Sequence, residues 1–126
     1  MNGIKFLLDT NFVLGLLKAT PEVVEKVSQM DILAASCGYS SVTRMELLGY
    51  PNITSDEERL IADRLSKFTY LPITIEIENL AISLRRTRRV KLPDALVAST
   101  AIHHELELMT LDKVLLSLVS QVIPPH

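Results

Sequence analysis

Four acidic residues, Asp9, Glu46, Asp94 and Asp112, stand at positions where their carboxylates could act together. Asp9 and Asp112 come shortly after short apolar runs, and Asp94 follows a proline at the start of an alanine-rich segment. Carboxylates that converge in a cleft raise one another's pKa values unless a cation neutralises them. Oxygen-only ligands suit Mg²⁺ or Mn²⁺, whereas zinc usually recruits His or Cys. The four acids therefore predict a divalent metal site.

A metal site of this kind predicts hydrolysis of a phosphodiester bond. A bound ion makes water a usable nucleophile and stabilises the charge on the phosphate in the transition state. Capping is an alternative explanation for Asp9, Asp94 and Asp112, since an Asp at a helix start satisfies unpaired N–H groups and suits the helix dipole. It does not apply to Glu46, which lies inside a predicted apolar helix where a carboxylate is costly to bury. Glu46 is therefore the residue that best distinguishes a metal site from a set of structural helix caps.

The elements that must position these acids are predicted to be alternating strands and helices. Apolar runs predict strands at residues 4–8, 32–39, 69–74 and 106–110. Helical spacing predicts helices over 12–17, from 21, over 42–48, from 55, over 77–84, from 93 and over 114–119. Thr10 or Asn11 is expected to cap the first helix, and Ser55 with Glu58 has capping-box spacing. We expect helix 42–48 to be buried all round because it is nearly apolar.

This alternation predicts an α/β fold. Its sheet should be mostly parallel and covered by helices on both faces, as in a Rossmann-like α/β/α sandwich. In such a sheet the strands end at one edge, so Asp9 and Asp112 are expected there, with Asp94 reaching the same edge. The length of 126 residues predicts one domain over residues 1–126.

Composition limits the classes of function. Hydrophobic residues make up 48% of the chain, which indicates a folded protein. The net charge of −2 provides no global positive field, so any RNA site must be local. The single cysteine, Cys37, cannot form an internal disulfide and lies in a predicted strand, which suits a reducing compartment such as the cytoplasm. Away from the first strand and helix no run of about 18 apolar residues predicts a membrane span.

A basic segment precedes Asp94. Its five cations are Arg85, Arg86, Arg88, Arg89 and Lys91. They could bind phosphates beside the metal site, or they could be the solvated end of a helix, where cations are favoured by the dipole. Arg88 is the strongest candidate for binding because it continues the apolar stripe of Leu80 and Leu84 towards the expected edge. His103 and His104 are adjacent on a helix, about 100° apart, and are expected at the surface.

Four segments in this order resemble the PIN domains, in particular the VapC-type toxins of bacterial and archaeal toxin–antitoxin pairs. They are LLDTN at 7–11, SVTRMELLG at 41–49, LPDALVASTA at 92–101 and MTLD at 109–112. The resemblance implies that Asp9, Glu46, Asp94 and Asp112 form the acidic metal site, with Asn11 and Thr110 as polar supports. It also implies an Mg²⁺- or Mn²⁺-dependent ribonuclease, an RNA substrate, a cognate antitoxin and a homodimer.

Two other interpretations of the sequence stay open at this point. One is a catalytically silent PIN-like module that only binds proteins. The other is a phosphate-handling α/β domain of the receiver or haloacid-dehalogenase type, which also places an Asp after its first strand. Dehalogenase-type enzymes usually carry a second Asp two residues later, where this chain has Asn11.

The number of metal ions is also open. Many PIN relatives carry a further acid shortly after the position of Asp112, but residues 114–116 are apolar here.

Overall fold

The computed structural model describes residues 3–122, with the side chains of residues 3–120. The strands are β1 (Phe6–Leu8), β2 (Cys37–Ser40), β3 (Thr69–Leu71) and β4 (Glu107–Met109). The helices are α1 (Thr10–Lys18), α2 (Pro21–Met30), α3 (Ser41–Leu48), α4 (Ser55–Leu65), α5 (Ile75–Thr87), α6 (Leu92–His104) and α7 (Lys113–Val122), and a short 3₁₀ helix covers Ala34–Ser36. The predicted alternation of strands and helices is confirmed.

The four strands form one parallel sheet in the order β3-β2-β1-β4. β1 is an interior strand, with Leu8 paired to Tyr39 on one side and to Met109 on the other. Because the strands are parallel, their carboxyl ends lie at one edge of the sheet. The residues that follow β1 and β4 are therefore neighbours, although about a hundred positions separate them in sequence.

Each face of the sheet carries its own apolar core. Leu7 and Leu108 belong to a buried cluster that is completed mainly by α5, α6 and α7. Leu8 and Met109, one residue further along the same strands, belong to a second cluster with α1, α2, α3 and α4. Successive side chains of a strand point to opposite faces, which explains this division. The predicted α/β/α sandwich is confirmed.

Several local predictions were wrong by one to five residues. The third strand ends at Leu71 rather than at 74, because Thr74 already caps α5. The second strand begins at Cys37 rather than at 32, because a 3₁₀ turn occupies Ala34–Ser36. The capping box of α4 is formed by Thr54 and Glu57 rather than by Ser55 and Glu58: Glu57 N donates to Thr54 Oγ1 at 3.1 Å, and Thr54 N donates to Glu57 Oε1 at 2.9 Å. The extended backbone of Thr54 provides the cap geometry.

Helix α3 is not buried all round, contrary to the expectation from its apolar sequence. Val42, Thr43 and Leu47 are buried, whereas Arg44, Met45 and Glu46 are exposed. Met45 and Glu46 line an open cleft, so one part of the helix surface packs in the core and the other meets solvent. Within residues 3–122, no helix is both long and apolar enough to cross a membrane. Ile123 and His126, in the last residues of the sequence, lie outside the described residues.

Candidate metal centre

An open cleft of about 860 Å³ lies at the carboxyl edge of the sheet. All four predicted acids line it: Asp9, Glu46, Asp94 and Asp112. Asn11, predicted as a polar support, also lines the cleft and is exposed. The topology thus gathers residues from the ends of β1 and β4, from α3 and from the start of α6.

Asp9 is the most buried of the four acids, with 5% of its surface exposed. It is the N-cap of α1, in place of Thr10 or Asn11, and Phe12 N donates to its Oδ1 at 2.7 Å. The hydroxyl of Thr110 donates to its Oδ2. Both oxygens are therefore held in place, and Asp9 is at once a helix cap and a residue of the cleft.

Thr110 joins Asp9 to Asp112. Its hydroxyl donates to Asp9 and accepts a hydrogen bond from Asp112 N at 3.0 Å. Asp112 in turn accepts at Oδ1 from Val114 N at 2.9 Å and from Leu115 N at 3.2 Å, which caps the start of α7. The predicted role of Thr110 as a support stays a prediction in chemical terms, but its hydrogen bonds fit that role.

The carboxylates of the cleft act on one another electrostatically. Burial raises the pKa of Asp9, hydrogen bonds from Thr110 and Phe12 oppose that shift, and the charges of Asp112 and Asp94 add to it. Burial also raises the pKa of Asp94; the charges of Asp112 and Glu46 add to the shift, and Lys91 opposes it. Burial is the largest cause of both shifts, and repulsion from the neighbouring carboxylates adds to it.

Glu46 is exposed, so the argument that it is a costly buried carboxylate was wrong. It projects from the open face of α3, and its Oε1 accepts a hydrogen bond from Thr10 Oγ1 at 2.5 Å. The ion pair found within residues 3–122 joins Arg59 to Asp56, so Glu46 is not half of a structural ion pair in that part of the chain. Glu46 lies in the cleft because α3 starts at the end of β2, at the edge of the sheet where the cleft opens.

The sequence analysis missed the hydrogen bonds that Thr10 makes with Thr43 and with Glu46 in the cleft. Thr10 was considered only as a helix cap, yet its hydroxyl contacts Glu46 and lies 3.2 Å from the hydroxyl of Thr43. Thr43 is fully buried on α3. The position of Thr10 next to Asp9 was the available signal, but the sequence did not show that α3 packs against the start of α1.

The donor set fits a hard divalent cation held partly by water. Within residues 3–122, no three His, Cys, Asp or Glu side chains are grouped closely enough to surround an ion by themselves. Mg²⁺ is usually bound through one or two carboxylates and keeps several waters, so it does not need such a cage. Burial and mutual repulsion raise the pKa values of Asp9 and Asp94, and a bound cation would reduce that repulsion.

The basic segment lies beside the cleft rather than in it. None of its five cations is among the described residues that line the cleft. Arg85, Arg86, Arg89 and Lys91 are exposed, and Arg88 is half-buried. Lys91 is near enough to lower the pKa of Asp94, and Arg85 Nε donates to Val90 O at 3.3 Å, which holds the segment against the end of α5. His103 and His104 are exposed at the far end of α6, as predicted.

The sequence matches the PIN domain family over residues 6–119, and the chain belongs to that family. This membership excludes the receiver and haloacid-dehalogenase interpretation and confirms the resemblance noted in the sequence. No curated protein matches the chain.

Several solved structures have a similar fold. A toxin–antitoxin complex from Klebsiella pneumoniae is similar with a TM-score of 0.73 at 28% identity, covering 86% of this chain and 87% of that chain. FitAcB from Neisseria gonorrhoeae has a TM-score of 0.73 at 21% identity, with 91% and 93% covered. VapBC2 from Rickettsia felis, bound to a DNA fragment from their promoter, has a TM-score of 0.71 at 18% identity, with 86% and 88% covered.

Proposed function

We propose that this protein is an Mg²⁺- or Mn²⁺-dependent ribonuclease, and that it is the toxin of a type II toxin–antitoxin pair. The observation that carries the proposal is the convergence of Asp9, Glu46, Asp94 and Asp112 on one open cleft. Membership of the PIN family and the similarity to the Klebsiella pneumoniae complex support it.

Asp9, Glu46, Asp94 and Asp112 would hold the metal. When bound, the ion supplies a water of lowered pKa and a positive charge that stabilises the phosphate in the transition state. The chain contributes orientation: Phe12 N and Thr110 fix both oxygens of Asp9 before any substrate arrives. Preorganised charge of this kind is a large part of catalysis, because little has to move during the reaction.

The basic segment is proposed to bind the RNA backbone. Its cations reach the substrate phosphates from outside the cleft, next to Asp94, where Lys91 already acts on the carboxylate. Phosphate contacts fix the position and register of a nucleic acid without reading its bases. In a chain with a net charge of −2, five cations within seven residues are a local positive patch of the kind that RNA binding needs.

An antitoxin partner is proposed for the apolar part of the cleft. Met45, Tyr50 and Leu60 line it with 58%, 68% and 63% of their surfaces exposed. Large apolar side chains exposed together commonly mark a protein interface. The homodimer and the cytoplasmic location stay predictions, and analytical ultracentrifugation of the purified chain tests the first of them.

A cleavage assay tests the enzymatic proposal. Purified protein is incubated with RNA and Mg²⁺ or Mn²⁺, and the same reaction is run with excess EDTA. Asp94→Asn should slow cleavage, and the matched control Glu25→Gln, an exposed acid of α2 outside the cleft, should cleave at the parent rate. Undiminished cleavage in EDTA would overturn the metal mechanism. Lack of cleavage with metal, in a folded protein, would favour the silent binding module.

A further inference from the structure

A single hydroxyl group connects the first turn of α1 to the exposed face of α3. Thr10 is the first residue of α1, directly after Asp9, and its Oγ1 donates to Glu46 Oε1 at 2.5 Å. The same oxygen lies 3.2 Å from Oγ1 of the buried Thr43. Thr10 therefore stands between a fixed hydroxyl inside the protein and a carboxylate in the cleft.

Glu46 needs such a contact more than the other acids do. It lies on an exposed helix face, and a glutamate side chain with three torsion angles samples many rotamers when nothing restrains it. Within residues 3–122, Thr10 is the one residue that donates a hydrogen bond to the Glu46 carboxylate. A hydroxyl that donates to a carboxylate forms one of the stronger protein hydrogen bonds, because the acceptor is charged.

Thr10 is itself well fixed. Its side chain is β-branched and half-buried, so it has few rotamers, and the hydroxyl of Thr43 lies beside it. Thr43 is held in turn because its N–H donates to Ser40 Oγ, the N-cap of α3, at 3.3 Å. The position of the Glu46 carboxylate thus depends on how β2 leads into α3 and on how β1 leads into α1.

We infer, on the basis of the proposed function, that Thr10 is a positioning residue that sets the metal affinity of the site by fixing the Glu46 carboxylate in the cleft that Asp94 also lines. Without the hydroxyl, the Glu46 carboxylate spends less time near Asp94, so a cation in the cleft loses part of its attraction. Glu46 and Asp94 line the same cleft, and the charge of Glu46 contributes to the raised pKa of Asp94.

The test compares two substitutions of Thr10 by Mn²⁺ titration calorimetry of the full chain, prepared free of metal. Thr10→Val keeps the shape and the branching but removes the hydroxyl, and it should raise the Kd for Mn²⁺ by about 10-fold, as expected for a residue that orients a ligand. Thr10→Ser keeps the hydroxyl and should stay within about 2-fold of the parent. The melting temperature without metal checks that each variant is folded. If Thr10→Val is unfolded, Thr10→Ala replaces it.

A double-substitution cycle with Glu46→Gln identifies the path of the effect. The Glu46→Gln variant carries no charge at this position, so Thr10→Val should change the Kd by less than about 2-fold in that background. An equal loss in both backgrounds would overturn the inference, because Thr10 would then act through another group. If the parent and the Thr10→Val variant bind Mn²⁺ equally well, the role of Thr10 is overturned, while the proposed metal mechanism is not. A parent that binds no Mn²⁺ overturns both this inference and the proposed metal mechanism.

Discussion

The two halves of the acidic cleft are built differently. At the strand ends, Asp9, Thr110 and Asp112 are joined by a continuous set of side-chain and backbone hydrogen bonds. On the helices, Asp94 is half-buried in the first turn of α6, and Glu46 is exposed with one hydrogen bond from Thr10. The strand-end half is fixed by the sheet, whereas the helix half depends on how separate helices pack.

This difference suggests that the two halves of the cleft have different roles. A group whose hydrogen-bond partners are already satisfied keeps its geometry when a ligand binds, so the strand-end half can define the position of a cation. In the helix half, the carboxylates of Asp94 and Glu46 are less restrained by hydrogen bonds. This half also adjoins the basic segment, whose Lys91 lowers the pKa of Asp94. We therefore expect substitutions at the strand ends to affect both stability and activity, and substitutions in the helix half to affect mainly metal and RNA binding.

The largest effect is expected for Asp9→Asn, which breaks the strand-end half without removing its shape. Asn is also a good N-cap and can still accept from Phe12 N, so the fold should survive. Cleavage should fall by about 100-fold or more, a loss typical of removing one preorganised electrostatic group. Single-turnover cleavage of RNA with Mn²⁺ measures it, with Glu25→Gln as the control. A rate within about 3-fold of the parent would separate Asp9 from the chemistry.

Thr→Val at two positions compares the halves directly. Thr110→Val removes a donor to the buried Asp9 and an acceptor for Asp112 N, and it should reduce the free energy of unfolding by about 1–3 kcal/mol. Thr10→Val leaves an exposed carboxylate that water can solvate, but it also removes the partner of the buried Thr43 hydroxyl. Its loss should therefore be smaller than that of Thr110→Val, which removes the partners of two groups, one of them a buried carboxylate. Urea unfolding at pH 7 in EDTA measures both. Equal losses would contradict the proposed difference between the halves.

The strand-end half could be predicted from the sequence because its residues follow recognisable strands. The apolar runs before Asp9 and Asp112 indicated two strand ends, and a parallel sheet brings such ends to one edge. Asp94 was placed correctly by the proline before it, which marks a helix start. In these cases a local pattern and one rule of topology were sufficient.

The helix half could be predicted only in part. Glu46 was proposed as a site residue for a wrong physical reason, since its helix was expected to be buried all round, whereas Arg44, Met45 and Glu46 are exposed. The contact between Thr10 and Glu46 joins residues 36 positions apart and depends on the packing of α1 against α3. The capping box was misplaced by one residue because Thr54 and Ser55 are both good caps and are each followed three residues later by Glu. Backbone geometry, which the sequence did not specify, selected Thr54.

The pH dependence of stability tests the charge repulsion that Asp94 experiences. Its pKa is raised in the folded protein by burial and by neighbouring carboxylates. Below the unfolded pKa it is protonated in both states; as pH rises through the folded pKa, the folded state must ionise a disfavoured group, and stability is lost. In EDTA, Asp94→Asn should therefore melt a few degrees above the parent at pH 7 and together with it at pH 3.5. A difference that is the same at both pH values would exclude charge as its cause.

The smallest effect is expected in the basic segment beside the helix half. Arg86→Gln with Arg89→Gln removes two exposed cations, and the slope of log K for RNA binding against log salt should decrease by about 1.4, or 0.7 per phosphate contact on a single strand. Binding is measured in EDTA so that the RNA stays intact. Lys26→Gln with Lys67→Gln, two exposed cations that do not line the acidic cleft, is the matched control and should leave the slope unchanged. If both pairs lower the slope equally, the effect is that of overall charge, and the segment is a solvated helix end. If only the first pair lowers it, RNA passes along the helix half of the site, where Lys91 already acts on Asp94.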